Sequence, residues 1–266
     1  METINEILKR LEQGSSEHGY SYEDVVKQRV ESYNQRKGDL TGHDCPVCNN
    51  KGYVMYVRNG TEEVMKECEC MKIRRTRQSI SNSGLSDILE ECTFDTFEVT
   101  EDWQGVIKDI AQNFVTDHQK KWFFAGGQVG CGKTHLCTAI TGTFLKAGME
   151  SKYVLWMDEV NKLKANVMTD IYSRDITKLK TIPVLYIDDL FKTERDKKPT
   201  TSDIKITFEI LNYRYMNPNL ITIISSEHSI DDIIDIDEAI GSRIYERSKS
   251  SCICIGHDSK KNYRLK

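Results

Sequence analysis

Gly126-Gly127-Gln128-Val129-Gly130-Cys131-Gly132-Lys133-Thr134 follows the apolar run Trp122-Phe123-Phe124-Ala125, and this junction decides how the chain is read. From Gly127 it satisfies G-x-x-x-x-G-K-[ST]. Glycines let such a loop curl so that several backbone N–H groups point inward, at the positive end of the following helix. A phosphate chain fits that cradle. Gly127, Gln128, Val129, Gly130, Cys131, Gly132, Lys133, Thr134 and His135 are therefore the candidate nucleotide-binding residues. Lys133 is placed to reach the β- and γ-phosphates, and the Thr134 hydroxyl to ligate magnesium.

Working outward, KTHLCTAITGTFLKAG reads as a helix ending at Gly148, and KYVLWM as the next strand. Two polar helical segments follow, near 158–167 and 170–180. Then come the strand PVLYID, a helix near 204–215, the strand LITIISS, a helix near 238–248 and a last strand, SCICIG. Strands alternating with helices predict a mainly parallel sheet covered on both faces. Ligands bind at the carboxyl ends of such strands. Asp188 and Asp189 end one of them: Asp188 is placed to hold magnesium, and Asp189 to polarise an attacking water. Ser225 ends the next strand, where it either orients that water or is simply a solvated strand end.

The chain has 266 residues, 38% of them hydrophobic and 29% charged, with a formal net charge of −4. That suits a soluble α/β domain with a smaller module and excludes a uniformly basic nucleic-acid coat. No apolar run approaches the roughly 20 residues of a membrane span, so no membrane partner is expected. METINEILKRLEQ has the spacing of an amphipathic helix, lacks the marks of a signal peptide, and points to a cytoplasmic protein. A second helical pattern covers 22–37.

Nine cysteines remain to be placed. Cys45-x-x-Cys48 and Cys68-x-Cys70 flank a hairpin's length of chain. In a reducing compartment that set reads as a tetrahedral Zn²⁺ site, with His43 as an alternative ligand. So short a module needs a metal to supplement its small core. Cys92, Cys131, Cys137, Cys252 and Cys254 read as small core or loop residues. MKIRRTRQ then leads into SISNSGLSD, which reads as a linker, giving domains over 1–82 and 92–266 joined by 83–91.

GQVGCGKTH, VLYIDDLFK, LNYRY, ITIISSEHS, GSRIYERS and the C-terminal NYR, in that order, resemble the DnaC/DnaI-type helicase loaders, an AAA+ group that includes the IstB transposition ATPases. The resemblance runs from about Cys92 onward. It implies a P-loop AAA+ core with a five-stranded parallel sheet, no C-terminal lid, and ATP or ADP bound with Mg²⁺ at the edge between subunits that associate in the ATP state. Phe94 and Phe97, in TFDTF, would pack beside the adenine. Arg247 would be an arginine finger and Arg243 its support. Lys162, Lys164, Arg174, Lys178 and Lys180 would grip single-stranded DNA, although acids interspersed among them equally fit solvated helix faces. The cysteine module resembles the zinc-binding region with which some loaders contact a DnaB-type hexameric helicase. A transposition accessory ATPase acting on duplex DNA, and a nucleotide-dependent binding protein with negligible hydrolysis, are the other readings.

Overall fold

The apolar strands at 122–127, 184–188 and 221–225 carry no polar side of their own until their carboxyl ends. A computed structural model, describing residues 21–82, 86–193 and 197–265, places them side by side at the centre of one sheet. The chain divides into two compact units, Met1–Arg74 and Arg75–Lys266. The amphipathic helix expected over the first dozen residues lies outside the described residues.

In the first unit, helix α1 (Tyr22–Gln35) starts at Ser21, whose side chain and that of Asp24 cap each other's backbone N–H groups. Val26 and Val30, one turn apart, form its buried stripe. Strands β1 (Tyr53–Arg58) and β2 (Glu62–Glu67) form an antiparallel hairpin in which Tyr53 pairs with Glu67 and Arg58 with Glu62. Its three-residue turn, Asn59 to Thr61, has Asn59 and Gly60 at positive φ (52° and 81°), the conformation that asparagine and glycine adopt most readily. Neither strand has a buried residue. The buried centre is instead the four cysteines, with Val54 and Met71 packed against them. Asn34 ties α1 to the hairpin by bonding both backbone groups of Met55 (2.8 and 3.0 Å).

Helix α2 (Cys70–Asn82) spans the stretch MKIRRTRQSISN. Another short helix, α3 (Ser86–Glu91), falls inside the segment expected to be a linker. The compact units divide at Arg74/Arg75, ahead of the 83–91 segment expected to join the two domains. The basic residues that looked like the start of a connection are helix formers, and they outweigh the scattered serines.

The second unit continues with α4 (Asp102–Thr116), β3 (Trp122–Gly127), α5 (Lys133–Lys146), β4 (Ser151–Leu155), α6 (Trp156–Ala165) and α7 (Asp170–Thr181). It ends with β5 (Val184–Asp188), α8 (Thr201–Met216), β6 (Ile221–Ser225), α9 (Ile230–Ile236), α10 (Glu238–Ser248) and β7 (Cys252–Ile255). The sheet has five parallel strands in the order β4-β5-β6-β3-β7. Alternate residues feed two cores. Trp122, Phe124, Leu185 and Ile187 face one; Phe123, Ala125, Val184 and Tyr186 face the other. Each fully buried Leu, Ile or Phe stabilises the fold by roughly 1.5–3 kcal/mol relative to exposure. β3 lies between β6 and β7, so the chain leaves its carboxyl end at the point where the strand order reverses, which is where the phosphate loop begins.

Arg214, in the LNYRY stretch of α8, is fully buried. It donates to the carbonyls of Leu179, Lys180, Ile182 and Ile221 and to the Thr222 hydroxyl, at 2.6 to 3.2 Å. It thereby joins α7, α8 and β6 beneath the sheet.

Candidate nucleotide site and cysteine cluster

Gly127, Gly130 and Gly132 all have positive φ (95°, 72° and 92°). Each is also closed off. A Cβ on Gly127 would lie 2.2 Å from the Ile255 carbonyl oxygen, one on Gly130 2.0 Å from Asn262 Oδ1, and one on Gly132 2.8 Å from the Phe97 ring. The loop therefore needs glycine for backbone shape and for room. It opens into helix α5, whose first N–H groups face a cleft of about 380 Å³.

Lys133, largely buried, donates to the Gly127 and Gln128 carbonyls (2.8 and 2.7 Å) across the mouth of the loop. Thr134 Oγ1 lies 3.3 Å from Asp188 Oδ1, so the two magnesium candidates are brought together from different elements. Asp188 also accepts from Tyr153 (3.0 Å), Tyr186 (2.8 Å) and Ser225. A carboxylate surrounded by hydroxyls, with a threonine hydroxyl beside it, is an all-oxygen set of the kind magnesium takes. Burial and the Asp188 charge push the Tyr153 and Tyr186 phenols upward, so both stay donors. Ser225 is fully buried on Asp188, and its Oγ also receives the Asp189 N–H (3.1 Å). Its role here is to fix the two aspartates.

Asp189 lines the cleft in a left-handed conformation (φ 54°), held by Lys192, which also pairs with Glu227 (2.8 Å each). Val129 and His135 line the cleft, the latter edge-on to Phe97 (5.2 Å between ring centres) and bonded to the Thr93 carbonyl (2.8 Å). Gln128 and Cys131 support the loop: the Cys131 thiol is buried against the Gln128 carbonyl (2.8 Å). Phe97 is buried in the core beside α5 and also lines the cleft, whereas Phe94 is half-buried against that core and is not among the residues lining the cleft.

Sequence reading missed the C-terminal wall. Tyr263 donates its backbone N–H to the Gly130 carbonyl (2.8 Å) and its hydroxyl to Glu98 (3.1 Å), and Arg264 brings another cation to the cleft. The one signal was the terminal NYR. No local pattern indicates that it returns to a loop some 130 residues earlier.

The other candidates lie elsewhere. Arg247 stacks on Tyr215 (4.8 Å) and donates to the Lys120 and Tyr215 carbonyls. Arg243 lies over Phe208 and Tyr215 and donates to Ala239 (2.7 Å). On α6 and α7, Lys162 pairs with Asp175 (2.7 Å), Lys164 with Asp203, Arg174 with Asp175 (3.2 Å) and Lys180 with Glu209 (2.6 Å). Lys178 is exposed, with no ion pair among the described residues.

In the first unit the thiol sulfurs of Cys45, Cys48, Cys68 and Cys70 all lie within 4.8 Å of one another, and all four residues are buried. The Cys45–Cys68 and Cys48–Cys70 sulfurs are 3.7 and 3.5 Å apart. Four ligands at about 2.3 Å in a tetrahedron lie about 3.8 Å from one another, so the cluster has the size of a zinc site. The Gly52 N–H points at Cys48 Sγ (3.3 Å), as suits a thiolate. Asn50 and Arg74 brace the loop, bonding respectively to the Cys45 N–H and the His43 carbonyl. His43 is not part of the ligand cluster.

A parallel sheet in this order, a glycine phosphate loop after β3 and an aspartate ending β5, one strand beyond β3's neighbour β6, define a P-loop ATP-binding domain of the AAA+ type. The sequence profile of the IstB-like ATP binding proteins matches residues 57–266, and the chain belongs to that family. It is 30% identical to the phage-like element PBSX protein XkdC of Bacillus subtilis, over 86% of this chain and 89% of that protein. It is 34% identical to the B. subtilis protein YqaM, over 75% of this chain but only 66% of that one. A crystal structure of the DnaC helicase loader shares the fold (TM-score 0.52, 20% identity), covering 64% of this chain and 98% of that one. No helix among the described residues is long and apolar enough to cross a membrane.

Proposed function

We propose that this protein is an ATPase that delivers a hexameric replicative helicase to single-stranded DNA. The observation carrying this reading is the pairing, in one chain, of a four-cysteine unit with an AAA+ core of the fold seen in the DnaC helicase loader. A metal-stapled surface separate from the ATPase core suits the holding of a protein partner. In the core, Lys133, Thr134 and Asp188 would hold the triphosphate and its magnesium, which supplies charge neutralisation at the phosphates. Asp189 would then orient the attacking water, with Lys192 and Ser225 fixing its position. A finger acting from a neighbouring subunit is better supplied by Arg243 than by Arg247, because freeing Arg247 breaks two carbonyl hydrogen bonds.

The family description equally fits an accessory ATPase working with a transposase on duplex DNA. Co-purification with a DnaB-type hexamer and, in parallel, with a transposase, each with ATP, separates the two. Binding to the helicase and not the transposase is expected; the reverse overturns the loader reading. Lys133→Ala is expected to abolish nucleotide binding in equilibrium titration.

A further inference from the structure

Cys252 and Cys254 stand two apart on β7, so both side chains leave the same face of the strand. Their sulfurs are 3.9 Å apart. β7 is an edge strand, Cys254 is exposed, and Cys252 is half-buried against the core. This departs from the expectation that both are small core or loop residues. An accessible thiol with a second thiol poised behind it is the arrangement that oxidants select.

We propose that Cys252 and Cys254 form a peroxide-sensitive dithiol whose closure to a disulfide loosens the phosphate loop. The Cys254 thiolate attacks one oxygen of hydrogen peroxide and the O–O bond breaks. That oxygen stays on sulfur as a sulfenic acid, and the other leaves as hydroxide and takes up a proton to become water. Cys252 then loses its proton and attacks the sulfenic sulfur. The S–S bond forms, the S–O bond breaks, and a second water departs. Two thiols are thus oxidised by two electrons, and one peroxide is reduced to two waters. A hydrogen bond from the Cys252 thiol, and further one from the Ile230 N–H, hold the Cys254 thiol below the ordinary range against the opposing effect of burial. That favours Cys254 as the attacking sulfur.

Closure has a structural consequence. The sulfurs must approach from 3.9 Å to about 2.05 Å, and residues two apart in an extended strand lie near the long limit of disulfide-compatible spacing. β7 must therefore contract. It is the strand against which the loop is set: Gly126 pairs with Cys254, Gly127 pairs with Ile255, and the Gln128 N–H donates to the Ile255 carbonyl (2.9 Å). With the Ile255 oxygen only 2.2 Å from where a Gly127 Cβ would lie, that contact has no slack.

The coupling rests on the cleft being the nucleotide site, so the disulfide and the affinity are read separately. Full-length protein is treated with hydrogen peroxide, and the tryptic peptide 250–260 is weighed. Loss of two hydrogen masses is expected in the wild type. Cys252→Ser should instead stop at a sulfenic acid trapped by dimedone, and Cys254→Ser should leave the peptide unoxidised. A peptide that keeps both thiols, while other cysteines in the same sample oxidise, overturns the site. Titration with a fluorescent ADP analogue should show about fivefold weaker binding after oxidation, equivalent to about 1 kcal/mol, restored by dithiothreitol. Cys254→Ser retains every other thiol and should bind equally before and after peroxide. Equal weakening in that variant, or a disulfide without any change in affinity, overturns the coupling.

Discussion

The cysteine hairpin and the phosphate cleft both arrange charged or polar groups around space for a ligand, but they are held in opposite ways. The cleft sits on a sheet whose three central strands are buried along almost their whole length, so its glycines are fixed by packing before any nucleotide arrives. The hairpin has no buried strand residue, and its centre is the ligand set itself. In one region the fold makes the site; in the other the site makes the fold. Breaking the two should therefore have different consequences.

The largest effect is expected at the cysteines. Structural zinc contributes apparent binding free energies of about 10–16 kcal/mol in small modules, far above what this unit's few buried side chains supply. Removing the metal with a chelator, or replacing Cys48 by serine, should unfold residues 45–70. Amide hydrogen exchange should show protection lost there and retained in β3, β5 and β6. Metal analysis should return one zinc per chain in the wild type. Retained protection in the zinc-free hairpin would mean that the two regions are not held differently after all.

Next comes Arg214, the residue of the LNYRY stretch that joins α7, α8 and β6. Arg214→Ala leaves four buried carbonyls and the Thr222 hydroxyl without their donor, which should cost about 3–5 kcal/mol in denaturant unfolding. Nucleotide affinity at low temperature, where the variant remains folded, should be unchanged. A loss of affinity equal to the loss of stability would make Arg214 part of the site and narrow the contrast between scaffold and cleft.

Gly127→Ala probes the cleft's dependence on backbone shape. A left-handed φ of 95° and the Ile255 oxygen 2.2 Å from the new Cβ should together cost about 1–3 kcal/mol, and ADP binding should weaken in parallel. Isothermal titration and thermal unfolding of the same sample check both. An unaffected loop would show that β7 can yield, which would also remove the route by which its thiols reach the nucleotide.

These cases separate what was legible in the chain from what was not. Strong periodic segments around a motif were readable: the strands 122–127, 184–188 and 221–225 and helix α10 fall where alternation and apolar runs place them. Helices α4 and α9 were not foreseen, because Asp102–Thr116 and Ile230–Ile236 carry no motif to draw attention to them. At Trp156 the apolar run continues, yet the strand has already become a helix, a change that hydrophobicity alone does not register. In the site, the loop, Asp188 and the cysteines were legible because spacing itself encodes them. Tyr263, Arg264, Lys192 and Glu227 were not, since their place in the cleft depends on how distant strand ends meet. Phe94 and Phe97 look equivalent in TFDTF, and only packing separates the buried ring that reaches the cleft from the half-buried one that does not.

The smallest effect is expected on α6 and α7, where the comparison takes a third form: charges neither packed around a ligand nor awaiting one, but neutralised by neighbouring acids. Lys162, Lys164, Arg174 and Lys180 each hold a carboxylate, so a phosphate backbone would have to displace Asp175, Asp203 or Glu209 before using them. Lys178 carries no such cost. If single-stranded DNA is bound on this surface, Lys178→Ala should lower the slope of log affinity against log salt by about 0.7, the value for one phosphate contact on a single strand. Lys162→Ala should change the slope less, because it removes one cation but also frees Asp175 to pair with Arg174 alone. Measured by fluorescence anisotropy across several salt concentrations, a larger change for Lys162 than for Lys178 would show that the ion pairs open on binding. This surface would then be a ligand-dependent site like the hairpin, rather than a neutralised one.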